Sequence, residues 1–88
     1  MIELTIARAV LAVDGVVALH GGQFGEVATY LPGERVTGVV LTAESGEVHV
    51  VTDLSRNVRA VAEDVRAVAE TIAGRPMVVT VEDVVVPS

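Results

Sequence analysis

The sequence contains no cysteine, no tryptophan and no lysine, and its 88 residues include one Phe and one Tyr. Without cysteine, neither a disulfide framework nor a thiolate metal site can form. A chain of this length supports one hydrophobic core, and folding buries only about 60% of the surface that the unfolded chain exposes. We therefore expect a single domain over residues 1–88.

Clustered positive charge is missing as well. The formal net charge is -6, and the six cationic side chains are arginines scattered at positions 8, 35, 56, 59, 66 and 75. Proteins that bind the phosphate backbone of nucleic acids, or anionic lipid surfaces, use clustered Lys and Arg. The composition therefore predicts no direct binding to nucleic acid.

The beginning of the chain has no long uninterrupted apolar run. Residues 1–15 include Glu3, Arg8 and Asp14, so their apolar stretches are shorter than the core of a signal peptide or a membrane span. We expect a cytoplasmic protein that does not insert into the membrane directly.

Aliphatic side chains are present in excess. Hydrophobic residues make up 51% of the chain, mostly Val and Ala, and the mean hydropathy is +0.59. So small a domain cannot bury all of this apolar surface by itself, and the remainder should reach the outside on at least one side. We expect a homo-oligomer or a permanent protein partner.

The apolar periodicity predicts an α+β fold. Period 3.6 indicates helices over residues 3–13 and 55–73, and short runs of Val predict strands at 16–19 and from 76 to the end of the chain. Residues 35–42 and 47–54 flank a Gly-containing turn and predict a hairpin. The sum is a two-layer fold, with a small mixed sheet of about four strands and helices packed on one face.

Residues 20–33 contain the one Phe, the one Tyr and half of the glycines. Phe24, Val27, Ala28 and Leu31 fall at i, i+3, i+4 and i+7, the spacing of one helix face. The β-favouring side chains in the same stretch also allow a strand. We prefer the helix.

Six side chains are candidates for binding a partner protein, because exposed aromatic residues anchor interfaces and an apolar strand edge can add to another sheet. They are Phe24, Tyr30, Leu31, Val84, Val85 and Val86. For Phe24 and Leu31, the simpler interpretation is that they fill the core, because they share the helical stripe. Tyr30 lies off their helical stripe and is the better candidate.

Gly21, Gly22 and Gly25 could let backbone N–H groups approach an anion. Their spacing matches neither of the glycine-rich phosphate-binding motifs, and the simpler interpretation is a sharp turn. A small ligand-binding regulatory domain that uses this turn as an anion or metabolite site is the alternative function.

Little in the sequence indicates catalysis or a metal site. His20 and His49 are the only imidazoles, which is too few for a firm zinc site. Glu47 and Asp53 should flank His49 on a solvated strand face, where we expect a satisfied surface histidine, with a pH-sensing role as the alternative. No spacing assembles a nucleophile with a base, and we expect a non-enzymatic protein without a cofactor.

One segment carries a family resemblance. "GGQFGEVATYLPGERVTGV" (21–39), with "EVHVVTDL", the Val-rich helix "VRAVAEDVRAVAETIAG" and the closing "MVVTVEDV", resembles the alkaline shock protein family of Gram-positive envelope stress proteins, particularly its short actinobacterial members. The resemblance implies a non-enzymatic cytoplasmic protein that gathers at the membrane through a membrane-anchored partner. The chain departs from the family pattern at residues 53–57, which read Asp-Leu-Ser-Arg-Asn. Members of the family usually have Tyr-Gly and a Pro there, before the long helix.

Overall fold

Residues 1–86 are described by the computed structural model, and they form two helices and six strands. In chain order these are α1 (Ile2–Leu11), β1 (Val16–Leu19), β2 (Ala28–Leu31), β3 (Glu34–Thr37), β4 (Val39–Leu41), β5 (Gly46–Asp53), α2 (Val58–Ala73) and β6 (Met77–Val85). The predicted α+β class is confirmed. The predicted closing strand extends to residues 87 and 88, which lie outside the described residues.

The main sheet is built around β5. β6 pairs with β5 in parallel along its whole length. β1 and β4 both pair with β5 antiparallel, β1 at Val50–Thr52 and β4 at Gly46–Val48. Because a strand has only two edges, β1 and β4 lie end to end on the edge opposite β6. The prediction of a small mixed sheet of about four strands is confirmed.

The join between β1 and β4 lies at His49. The His49 C=O accepts from the His20 N–H at 2.8 Å, and the His49 N–H donates to the Gly38 C=O at 2.9 Å. These two bonds to β5 connect the β1–β5 ladder with the β4–β5 ladder, so pairing along this edge of β5 is continuous.

The prediction of a helix over residues 24–31 is wrong. β2 and β3 form a two-stranded antiparallel hairpin in which Leu31 pairs with Glu34. Gly33 sits in the turn with φ +72°, a left-handed conformation that suits a two-residue hairpin turn. The helix-like spacing of Phe24, Val27, Ala28 and Leu31 therefore does not correspond to one packed face.

The predicted strand over residues 35–42 is broken in the middle. Gly38 has φ +82° and separates β3 from β4. A Cβ at this position would lie 2.9 Å from the carbonyl oxygen of His49. Close contact with the neighbouring strand therefore requires glycine here, and the chain leaves the main sheet to form the separate hairpin.

The two helices pack on one face of the main sheet, as predicted. The core is a single cluster with members from both helices and from the inner face of β5, among them Ile6, Val10, Val48, Val50, Val61 and Val65. α2 begins three residues later than predicted because the Asn57 side chain caps it, accepting from the Ala60 N–H at 3.1 Å. It ends where Gly74 takes the left-handed conformation, φ +67°.

Candidate partner-binding surface

The loop between β1 and β2, residues 20–27, is held by its own polar groups. The His20 Nδ1 accepts from the Gly22 N–H at 2.9 Å, and the Glu26 Oε2 accepts from the Phe24 N–H at 3.0 Å. The Val27 N–H donates to the Gly21 C=O at 2.8 Å and closes the loop. The loop thus has a defined shape although it lies outside the sheet.

Phe24 projects from this loop into solvent, with 89% of its surface exposed. The interpretation of Phe24 as a core residue is therefore wrong, whereas Leu31 is half-buried and packs against the core cluster. Burying a side chain of this size stabilises a fold by about 1.5–3 kcal/mol. Because Phe24 is exposed, its side chain does not contribute this stabilisation to the fold.

Tyr30 in β2 is also exposed, at 74%. The Arg35 guanidinium carbon lies 5.7 Å from the centre of the Tyr30 ring, within the range of a cation–π contact. The same guanidinium donates to the Gly25 C=O at 2.9 Å. Arg35 therefore joins the loop that carries Phe24 to the strand that carries Tyr30, and we call Phe24, Tyr30 and Arg35 the aromatic surface.

In the glycine-rich turn, the backbone N–H groups of Gly22, Phe24 and Gly25 donate to acceptors within the turn. Gly22 and Gly25 have φ +80° and +73°, as expected of a tight turn. Besides the bonds made by Gly22 and Phe24, the Gly25 N–H donates to the Gly22 C=O at 3.3 Å. The Glu26 carboxylate lies against Gly22, where an added Cβ would be 2.8 Å from Oε1. A carboxylate of the chain itself therefore occupies this side of the turn, where an external anion would have to bind.

The predicted residues at the end of β6 lie elsewhere. Val84 and Val86 are exposed and Val85 is half-buried. Val85 pairs with Asp53 at the far end of β5, on the edge away from β1 and β4. The six predicted partner-binding residues therefore form two separate groups, one around the loop and one on β6.

His49 forms a cluster that sequence reasoning found only in part. Its side chain lies on the outer face of β5 and yet is only 8% exposed, so the prediction of a solvated face is wrong at this residue. Nε2 lies 3.0 Å from Glu47 Oε1 and Nδ1 lies 2.6 Å from Glu82 Oε2. Asp53, the other predicted neighbour, instead accepts from the Ser55 N–H at 2.9 Å.

Glu82 lies near His49 because β6 pairs with β5 in parallel and His49 is opposite Thr80, two residues before Glu82. Val50 pairs with Val81 and Val51 with Asp83, so Glu82 is the extra residue in β6. Glu82 therefore sits at the bulge itself. It carried no signal in the sequence, because its proximity to His49 depends on the parallel register between β5 and β6.

The environment of His49 favours its charged form. Burial lowers the pKa of the imidazole, but hydrogen bonds to Glu47 and Glu82, together with their negative charge, outweigh it and raise the pKa above the ordinary 6.5. A protonated ring can donate from both nitrogens at once. Protonated His49 therefore makes two charge-assisted hydrogen bonds, one to Glu47 within β5 and one to Glu82 that bridges β5 and β6.

Residues 1–86 offer no enclosed site of another kind. No cavity is formed among them, and within this range no three His, Asp or Glu side chains are arranged to hold a metal ion. Neither α1 nor α2 is long and apolar enough to cross a bilayer.

No protein-family model matches this chain, and no curated protein and no solved structure matches it either. The resemblance to the alkaline shock protein family therefore stays a prediction made from residues 21–39 and the pattern around them.

Proposed function

We propose that this chain is a non-enzymatic interaction module of the cell-envelope stress response. It acts in the cytoplasm, self-associates and is recruited to the membrane by a membrane-anchored protein partner. The family-like segment supports the cellular process, and the aromatic surface supports the binding role. The single observation that carries the binding role is that the one Phe and the one Tyr are both exposed.

The aromatic surface has the composition of a binding anchor. Tyr and Arg are enriched among the residues that dominate interface energies, and a large apolar ring such as Phe24 supplies the buried contact area. The loop of residues 20–27 is already ordered by its internal hydrogen bonds and by the bond that Arg35 donates to the Gly25 C=O. Such pre-organisation lowers the entropy cost of binding. We infer a protein partner with an apolar pocket that receives Phe24.

Localisation of fluorescent fusions in the native host tests this proposal. The wild-type fusion should concentrate at the membrane, and the double variant Phe24→Ser/Tyr30→Ser should be diffuse, because it lacks both aromatic anchors. Leu54→Ser is the matched control, since Leu54 is 60% exposed and lies outside the aromatic surface. Membrane enrichment that survives in the double variant would contradict the role of this surface.

The same strains test the cellular process. A deletion strain should grow more poorly than its parent under cell-wall antibiotics, and the wild-type gene and the Leu54→Ser gene should restore growth. The double variant should not, although circular dichroism should show it folded, because both of its substitutions are at exposed positions. Equal growth of the deletion strain and its parent would argue against an envelope role.

The alternative, a ligand-binding regulatory domain centred on Gly21, Gly22 and Gly25, has less support because the Gly22 and Gly25 N–H groups already donate within the turn and the Glu26 carboxylate lies against Gly22. Thermal-shift measurements with nucleotides and sugar phosphates distinguish the two functions. A ligand at 100 times its Kd adds about 2.7 kcal/mol of stability. We expect no shift, and a saturable shift lost in Gly22→Ala would favour the alternative.

A further inference from the structure

One edge of the main sheet is formed by β1 and β4, and the other edge is formed by β6 alone. The hairpin covers the β4 part of the first edge: the Thr29 hydroxyl donates to the Val39 C=O at 2.6 Å, and the Gly38 N–H donates to the Val27 C=O at 2.8 Å. β6 pairs only with β5, and no strand within residues 1–86 lies along its other side. An open strand edge is a template for pairing with another chain.

The register shows which backbone groups of β6 face outward. In a parallel ladder the N–H and C=O of one residue point to the same side, and successive residues alternate. The Gly46 N–H donates to the Pro76 C=O at 3.0 Å, and Gly46 pairs with Met77. The backbone groups of Val79 and Val81 are therefore directed away from β5.

Both ends of this open segment are closed by side chains. At one end, the Met77 N–H donates to Glu70 Oε2 at 3.0 Å. At the other, beyond the bulge, the Val84 N–H donates to Asp83 Oδ1 at 2.8 Å. The available donors and acceptors are thus those of residues 79 and 81, placed symmetrically about Thr80.

We propose that β6 pairs antiparallel with β6 of a second copy of this chain, about a two-fold axis at Thr80. Val79 of each copy then faces Val81 of the other in a hydrogen-bonded pair. The two Thr80 side chains oppose each other as a non-hydrogen-bonded pair on the outer face. This inference deepens the proposed function, of which self-association is a part.

The antiparallel arrangement keeps the Asp83 side chains of the two copies apart, whereas a parallel, in-register arrangement would place these like charges opposite each other. The pairing also covers Val78, which is 61% exposed. Because the contact is isologous, it uses the same β6 edge of both copies, so this pairing closes at a dimer.

Disulfide trapping tests the register, and the chain suits this test because it has no cysteine of its own. Opposing residues of a non-hydrogen-bonded antiparallel pair have Cα atoms about 4.5 Å apart, within the disulfide range. Thr80→Cys should therefore form a covalent dimer under mild oxidation. Val78→Cys is the matched control: position 78 is on the same strand and face, but it opposes Glu82 of the other copy, so the two introduced thiols do not meet.

Light scattering completes the test. The wild type should have the mass of a dimer, and Thr80→Lys should be a monomer, because it places two like charges opposite each other. Circular dichroism should show all variants folded. Cross-linking of Val78→Cys as fast as Thr80→Cys, or a dimer that persists in Thr80→Lys, overturns pairing through β6 while leaving self-association by another surface standing. A monomeric wild type overturns both, and membrane localisation still tests the aromatic surface separately.

Discussion

At the scale of single residues, Thr52 is a polar side chain in an apolar core that provides no hydrogen-bond acceptor or donor for its hydroxyl. It lies on the inner face of β5, is fully buried, and its hydroxyl is the one buried side-chain polar atom without a hydrogen-bond partner within residues 1–86. A buried hydroxyl without a partner costs about 1–3 kcal/mol. Valine has nearly the same shape and no such cost.

We therefore expect Thr52→Val to stabilise the fold by about 1–3 kcal/mol, which corresponds to a rise in Tm of about 4–8 °C for each kcal/mol. Thr29→Val is the contrasting control, because the Thr29 hydroxyl donates to the Val39 C=O at 2.6 Å. That substitution should destabilise the protein. Urea unfolding measures both, and equal effects of the two substitutions would contradict the assignment.

His49 predicts a dependence of stability on pH. Its pKa is raised in the folded state, so its contribution is complete below the unfolded pKa of 6.5 and is lost as the pH rises through the folded value. The unfolding free energy of the wild type minus that of His49→Gln should thus be largest near pH 5 and fall toward about pH 9.

Glu82→Gln provides the control for this measurement. It removes the charge opposite Nδ1 but keeps a polar side chain at the bulge, so the pH-dependent part of the His49 contribution should shrink. A wild-type advantage over His49→Gln that grows toward high pH would exclude the bridge between β5 and β6.

At the scale of secondary-structure elements, Gly38 divides what the apolar pattern predicts as one strand. Its added Cβ would meet His49 O at 2.9 Å, Leu19 Cβ at 3.0 Å and His20 N at 3.1 Å. Gly33 has a similar φ, but its added Cβ would meet nothing within 4 Å. Replacing each glycine with alanine therefore distinguishes the cost of the positive φ, which both positions share, from the cost of steric contact, which arises only at Gly38.

Gly38→Ala should be the more damaging of the two substitutions. Gly33→Ala carries the left-handed strain alone, about 1–2 kcal/mol. Gly38→Ala adds contacts with backbone atoms that cannot move aside, so we expect at least about 1 kcal/mol more. Urea unfolding of both variants gives the comparison, and equal losses would show that the join between β3 and β4 is looser than the structure indicates.

The elements differ in how well the sequence predicts them. α2 and the β4–β5 hairpin are predicted because their signals are local: apolar period 3.6 ending at Gly74, and two alternating runs around a turn. The stretch from Phe24 to Leu31 misleads because four apolar residues at helical spacing do not share a face here. Only Val27 is buried, while Phe24 points into solvent.

At the scale of the whole molecule, a dimer through β6 links stability to concentration. Unfolding then requires dissociation, so the Tm of the wild type should rise with protein concentration. The Tm of Thr80→Lys should not change with concentration, because that variant is monomeric. Calorimetry over a wide range of protein concentrations measures the Tm of both proteins. The same concentration dependence of Tm in both would argue against the axis at Thr80.

The sequence by itself determined the α+β class, the long helix, the closing strand and the excess of apolar surface, because periodicity and composition act over short stretches of chain. Only the tertiary structure decided that Phe24 is exposed, that Glu82 rather than Asp53 meets His49, and that β6 leaves one edge open. Those features depend on strand register and on the pairing of distant strands. No local pattern encodes them, because each arises between residues that are far apart in the chain.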